Sequence, residues 1–105
     1  MTEQVKNDAI RINQITGRPM DVCEAQAEDI AALVKAMKSG IVEFYFTKKD
    51  GTTRQAFGTL KDEVIIPHIK DATNREPNHD LVTYFDTVKE QFRSFRKENF
   101  QRFVA

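Results

Sequence analysis

The chain has few of the residues from which the simplest functional sites are built. Its 105 residues include no tryptophan, four glycines, three prolines and a single cysteine, Cys23. One cysteine excludes an internal disulfide and a multi-cysteine zinc site, and it fits a reducing compartment. None of the glycines belongs to a GxGxxG or Walker arrangement, so the sequence offers no glycine-rich phosphate loop.

An excess of one charge is also absent. Sixteen lysines and arginines balance 16 aspartates and glutamates, which gives a formal net charge of zero. There is therefore no global basic field of the kind that many nucleic-acid-binding proteins use. No apolar run approaches membrane-spanning length, and the first residues lack the apolar core of a signal peptide. We expect a cytoplasmic protein of one domain without a membrane partner.

Residues 41–60 predict a β-hairpin. Apolar residues recur at every second position of the first strand, as in a half-buried strand: Val42, Phe44 and Phe46. Asp50-Gly51 follows, a dipeptide that supplies the positive φ angles of tight hairpin turns. The return strand spans residues 52–59, and Gly58 near its end suggests a bulge or a sharp bend.

Two helical segments precede the hairpin. The first covers about residues 2–15 and ends at Gly17; its apolar stripe comprises Val5, Ala9, Ile12 and Ile15. The second has a capping-box-like pair at its start, Asp21 and Glu24, and a C-terminal cap at Gly40. Its apolar face comprises Ala27, Ile30, Ala31, Val34 and Met37. We expect Cys23 to be a small, partly buried apolar residue rather than a nucleophile.

The second half of the chain predicts three more strands. Residues 81–86 and 91–96 form two of them, joined by a turn at residues 87–90. A short turn at residues 97–99 precedes a last strand at residues 100–104. Five short strands of this kind are typical of a small SH3-like or Sm-like barrel.

The predicted fold class is therefore α+β. A helical arm of one or two helices, residues 1–40, precedes a five-stranded SH3-like or Sm-like β-barrel, residues 41–105. The arm either packs over one open end of the barrel, or it mediates self-association or contact with a partner. The sequence leaves both alternatives open.

No residue cluster predicts catalysis or metal binding. His68 and His79 are eleven positions apart without a cysteine or a regularly spaced carboxylate, so we expect exposed loop histidines. Asp86 and Glu43 could be paired carboxylates on neighbouring strands, but no activated nucleophile accompanies them. We predict a protein that is not an enzyme and has no cofactor.

Two segments carry a resemblance to a known family: FTKKDGTTRQAFGTL and LVTYFDTVKEQFRSFRKENF. The most specific parts are the Asp50-Gly51 turn with Arg54, the run Tyr84-Phe85-Asp86, and Arg93-Ser94-Phe95-Arg96. Over residues 42–104 the chain resembles small proteins of unknown function from bacteroidete genomes and their phages, described as Sm-like SH3 β-barrels.

That family is distantly related to the WYL domain of bacterial transcription regulators. The resemblance implies the barrel fold. WYL domains are thought to bind nucleotides or nucleic acid, so it also implies a ligand of that class. The Trp-Tyr-Leu triplet that names the domain is absent here, and Thr83-Tyr84-Phe85 stands nearest to it.

The candidate ligand residues are basic and aromatic. Residues 88–105 hold a local basic excess interleaved with phenylalanines. Arginine matches phosphate with two parallel hydrogen bonds, and aromatic rings stack on bases. The predicted set is Arg54, Arg93, Arg96 and Lys48 for phosphate, with Tyr45 and Tyr84 as stacking residues.

Two functions follow as hypotheses. The first is a binding module for a nucleotide or a nucleic-acid phosphate, with a regulatory or phage–host role in the bacterial cytoplasm. The second is a protein–protein adaptor or small structural protein that acts through the helical arm and an exposed barrel edge. In that case the basic stretch is only solvated surface.

Overall fold

The predicted fold class is confirmed. In this computed structural model, which describes residues 1–72 and 78–104, two helices precede a five-stranded antiparallel sheet. The helices are α1 (Glu3–Thr16), α2 (Met20–Met37) and the short α3 (Asp62–Ile65). The strands are β1 (Val42–Thr47), β2 (Thr53–Thr59), β3 (Leu81–Asp86), β4 (Gln91–Arg96) and β5 (Phe100–Phe103). Two 3-10 segments, Ile66–Ala72 and Lys97–Asn99, complete the described elements.

The two main helices differ in how well their ends were predicted. The Thr2 hydroxyl accepts the N–H of Val5 at the start of α1, and Gly17 ends that helix with a φ of 72°. The predicted capping box of α2 is wrong because the helix begins at Met20, so Asp21 already lies in its first turn. Gly40 is not the cap either, since α2 ends at Met37 with right-handed Lys38 following it.

The buried faces of the helices also shift from the predicted stripes. On α1, Asp8 is buried although it was not predicted to be, and the predicted Ile15 is 39% exposed. On α2 the buried residues are Cys23, Ala27, Ile30, Leu33 and Met37. Ala31 is exposed, whereas the predicted Val34 packs against the core as a partly buried residue. Leu33 is fully buried although it was not predicted, and Cys23 is fully buried rather than partly buried.

The sheet has the strand order β4-β3-β2-β1-β5. Its two end strands are consecutive in the chain and are joined by only the 3-10 turn Lys97–Asn99, which curves the sheet back on itself. At the β1–β2 turn only Gly51 has a positive φ, 88°, while the Asp50 carboxylate accepts the N–H of Thr52. The hairpin prediction is confirmed.

Of the two alternatives predicted for Gly58, a bulge or a sharp bend, the bulge is wrong. The β1–β2 register is unbroken up to this residue, and the irregularity lies between Tyr45 and Phe46, where β1 meets β5. Gly58 pairs with Val42 on one side and with Asp86 on the other. It is therefore the point at which β2 passes from one partner strand to the next.

The helical arm packs on its own sheet. One hydrophobic cluster joins the buried residues of α1 and α2 with rings from four strands: Phe44, Phe46, Tyr84, Phe95 and Phe100. We call the sheet face that carries these rings the inner face. No helix in the described ranges is long and apolar enough to cross a membrane.

Candidate functional site

The buried carboxylate of Asp86 stands at the centre of the candidate site. Only 2% of its side chain is exposed, and its Oδ2 lies 3.4 Å from Arg54 Nη2 and 4.0 Å from Arg93 Nη1. Its Oδ1 accepts the backbone N–H groups of Val88 and Lys89 at 2.9 and 3.0 Å. One carboxylate therefore fixes the β3–β4 turn and holds two guanidinium groups; we call these three charged residues the Asp86 cluster.

Strand pairing explains why these side chains meet. Residues directly opposite each other in an antiparallel pair project from the same face, and side chains alternate along each strand. Arg54 is opposite Phe46, and Arg93 is opposite Tyr84. Asp86 follows Tyr84 by two residues on β3. All three charged residues consequently project from the inner face, beyond the aromatic core.

The Asp86 cluster keeps a surplus of positive charge and of hydrogen-bond donors. Two arginines face one carboxylate, and each guanidinium carries five N–H groups of which Asp86 can take only a few. The side chains of Arg54 and Arg93 are 26% and 33% exposed. Lys48 lies in the β1–β2 turn beyond the end of β1 and is exposed. The two guanidinium groups can bind an anion that approaches from solvent.

Tyr84 lies beneath this cluster, and its ring is not available for stacking. The residue is fully buried, in contrast to the expected role as a stacking residue. Burial raises the pKa of Tyr84 to about 12, with a further contribution from the negative charge of Asp86. Its hydroxyl has no hydrogen-bond partner among the residues that the structure describes.

Tyr45 projects from the opposite, outer face of β1. Its hydroxyl donates to Glu43 and accepts a 3.1 Å hydrogen bond from Gln55. The bond from Tyr45 is the main reason why the pKa of Glu43 is lowered. The Arg102 guanidinium lies 4.2 Å from the centre of the Tyr45 ring, so a cation already covers the stacking surface.

Arg96 also lies on the outer face, because it is three residues from Arg93 on the same strand. Its Nε donates to Glu98 Oε2 at 2.7 Å, and its Nη2 lies 3.8 Å from Asp80 Oδ2. Asp80 holds Arg11 of α1 as well, at 3.1 Å. The hydrogen bond with Glu98 raises the pKa of Arg96. This group ties α1 to the start of β3, away from the Asp86 cluster.

The structure thus brings together three of the six candidate residues, Arg54, Arg93 and the buried Tyr84, on the inner face. Lys48 lies in the β1–β2 turn beyond the end of β1, and Tyr45 and Arg96 occupy the outer face. The central role of Asp86 was not predicted from the sequence. The predicted carboxylate pair of Asp86 and Glu43 is wrong, because Glu43 lies opposite Phe57 on the outer face. An aspartate directly before a turn is the available signal, because its side chain accepts N–H groups two residues on.

The two histidines are placed separately. His79 is exposed in the turn before β3, as expected. His68 is half-buried instead, and its ring centre lies 4.6 Å from that of Phe85. Within residues 1–72 and 78–104 there is no group of three or more histidine, cysteine, aspartate or glutamate residues arranged to hold a metal ion.

Comparison with known proteins agrees with this architecture. No curated protein and no solved structure matches the chain. A family model described as "WYL_2, Sm-like SH3 beta-barrel fold" matches residues 30–101, which is more than half of the chain. The matched region begins within α2, ends within β5 and includes every residue of the Asp86 cluster. The chain therefore belongs to the WYL_2 family, whose members have an Sm-like SH3 β-barrel fold.

Proposed function

We propose that this domain is a non-enzymatic binding module for the phosphate group of a nucleotide or nucleic acid. The observation that carries the proposal is the pair of part-exposed arginines, Arg54 and Arg93, that share one buried carboxylate. Arginine is suited to this role because its planar fork matches two phosphate oxygens at once.

The buried carboxylate supports this function by positioning the arginines. A long side chain that is already held in place loses less conformational entropy when it binds a ligand. Asp86 is itself fixed by two backbone N–H groups, so it holds both guanidinium groups from a rigid point.

The family relationship supports the same ligand class. The family description names the fold, and the resemblance to WYL domains adds the expectation of a nucleotide or nucleic acid. A regulatory role in a bacterial or phage-infected cytoplasm extends this proposal and rests on that resemblance alone. Because the chain has no net charge, affinity for phosphate must come from a local group of cations, and the proposal assigns this role to the Asp86 cluster.

The test is a binding titration with fluorescein-labelled single-stranded DNA of mixed sequence, and with a labelled nucleotide, at two salt concentrations. We expect binding that weakens as salt rises. Arg93→Ala should reduce affinity about tenfold, the free energy expected of a charge-assisted contact to phosphate. It should also flatten the salt dependence, because one phosphate contact is lost.

Arg96→Ala is the matched control. It removes the same side chain from the same strand, but from the outer face. It should leave affinity within about twofold of the wild-type value, because an exposed charge away from the ligand is screened. Equal losses in the two variants, or full binding by Arg93→Ala, would show that the inner-face arginines are not the site.

A further inference from the structure

A surface groove of about 380 Å³ lies between the helical arm and β3, away from the Asp86 cluster. Its walls are mainly apolar: Ile30, Ala31 and Val34 from α2, with Leu60, Leu81 and Val82 from the sheet side. Its polar side chains are already engaged within the protein. Their partners are the N–H of Val5 for Thr2, Asp8 for both Gln4 and Lys97, and Ser94 for Thr83.

β3, which borders this groove, extends beyond the end of its neighbour β2. β2 pairs with β3 at only two positions, the last of which joins Thr59 to Phe85. The chain then leaves the sheet at Leu60, whose N–H donates to Met37 at the end of α2. β3, however, extends back to Leu81, and its first residues run along the groove without β2 beside them.

The alternation of the ladder shows which backbone groups face this gap. The N–H of Thr87 donates to the carbonyl of Phe57 on β2, so odd-numbered residues of this stretch direct their N–H and C=O toward β2. The N–H of Lys97, which follows β4, donates to the carbonyl of Asp80. Even-numbered residues therefore direct their N–H and C=O toward β4 instead. Thr83 therefore directs its N–H and C=O toward the groove, where the described part of the chain provides no strand partner.

We infer that this groove binds an extended peptide segment of a partner protein, which adds to β3 as a strand beside Thr83. An unpaired strand edge supplies main-chain hydrogen bonds, and a neighbouring apolar groove receives side chains from alternate positions of the peptide. The expected peptide has apolar residues at every second position and few charges on that face.

The distribution of hydrogen-bonding groups favours a peptide over a small molecule. Small-molecule sites usually present a few converging polar side chains that orient the ligand. Here the polar side chains of the walls already have partners within the protein, and the backbone N–H and C=O of Thr83 remain for a ligand. A backbone N–H and C=O from one residue match another peptide backbone.

The test begins with selection of a phage-displayed library of random 12-residue peptides against the whole protein, followed by affinity measurements on a synthetic copy of the enriched peptide. Ala31→Arg places a long side chain in the groove, whereas Ala32→Arg makes the same change at the next exposed position of α2, outside the groove. Ala31→Arg should weaken binding at least about tenfold, and Ala32→Arg should leave it within about twofold.

A second pair of variants tests the strand edge. Thr83→Pro removes the N–H that faces the groove, and Thr83→Val keeps it while removing the hydroxyl that bonds to Ser94. We expect loss of peptide binding with proline and retention with valine. In amide hydrogen exchange of the wild-type protein, the Thr83 N–H should exchange quickly alone and slowly with the peptide bound.

Several results would overturn this inference. Slow exchange of the Thr83 amide without peptide would show that the edge is already paired. A selection that enriches no alternating sequence, or a peptide that binds the Ala31→Arg protein normally, would exclude this groove. A dimer that Ala31→Arg dissociates and Ala32→Arg leaves intact would assign the groove to a second copy of the chain instead.

Discussion

Gly58 lies against the ring of Tyr84 so closely that residue 58 has no room for a side chain. A Cβ placed on Gly58 would be 2.6 Å from Tyr84 Cδ2 and 3.0 Å from Phe44 Cε1. Both rings are fully buried and meet edge to face, with their centres 4.9 Å apart. Neither ring can move without disturbing the packed core around it.

We therefore expect Gly58→Ala to lower the free energy of unfolding by about 1–3 kcal/mol, the usual cost of overpacking a core. Gly40→Ala is the matched control, because a Cβ there would meet no atom within 4 Å. Its effect should stay within about 0.5 kcal/mol. Denaturant unfolding of the two variants measures the difference, and equal stabilities would show that the core accommodates the methyl group.

The strands were predictable because their signals are local. Alternation in β1 and the Asp50-Gly51 turn are visible within a few residues, and each strand begins within a residue of its predicted start. The buried face of α2 was less predictable. Leu33 and Val34 are adjacent apolar residues, and only the position of the sheet decides that Leu33 becomes fully buried. A helical period alone does not choose between such neighbours.

The candidate site was predictable only in part. That Arg93 and Arg96 point to opposite faces follows from their spacing on one strand, so the sequence itself contained this information. The meeting of Arg54 with Arg93 did not follow, because it depends on the register of β2, β3 and β4. The burial of Asp86 depends on the same register, since the two cations that accompany its charge come from other strands.

Tyr84→Phe should not destabilise the protein, although it changes a fully buried residue. The hydroxyl that it removes has no hydrogen-bond partner among the described residues, and burial of an unsatisfied polar group is costly. We expect the free energy of unfolding to stay level or to rise by about 1 kcal/mol. A drop of several kcal/mol in denaturant unfolding would mean that the hydroxyl has a partner, such as a bound water.

Stability should fall in strong alkali because of the same residue. The pKa of Tyr84 is raised from 10.0 to about 12 in the folded protein. Above pH 10 the unfolded chain releases this proton while the folded protein retains it. Ionisation therefore lowers the free energy of the unfolded state relative to the folded state. Tyr84 leaves stability unchanged below pH 10, and the loss grows as pH rises from 10 through 12, where the folded protein also ionises. The full loss amounts to about 3 kcal/mol.

Two measurements check this pH dependence. Denaturant unfolding at about pH 9 and about pH 11.5 should show the loss in the wild-type protein and a smaller loss in Tyr84→Phe. In Tyr45→Phe, Tyr84 is the only tyrosine left of the two. Its tyrosinate absorbance should then appear only near pH 12, and titration near pH 10 in the folded variant would contradict the buried environment.

Asp86→Asn should change stability and ligand binding in opposite directions. Asp86→Asn keeps the Oδ1 acceptor for Val88 and Lys89 but removes the negative charge beside Arg54 and Arg93. We expect the free energy of unfolding to fall by about 1–3 kcal/mol, because two part-buried cations lose their partner. Affinity for labelled single-stranded DNA should nevertheless rise by about five- to tenfold, because the loss of the negative charge that competes with phosphate outweighs the looser positioning of the two guanidinium groups.

Asp80→Asn separates this local effect from a general change in charge. Asp80 also holds two arginines, Arg11 and Arg96, but on the outer face. The substitution raises the net charge of the protein by the same one unit, so a general electrostatic attraction would strengthen DNA binding equally in both variants. A gain confined to Asp86→Asn identifies the inner-face arginines as the phosphate site. If Asp86→Asn loses stability without gaining affinity, the arginines serve only to hold the barrel together.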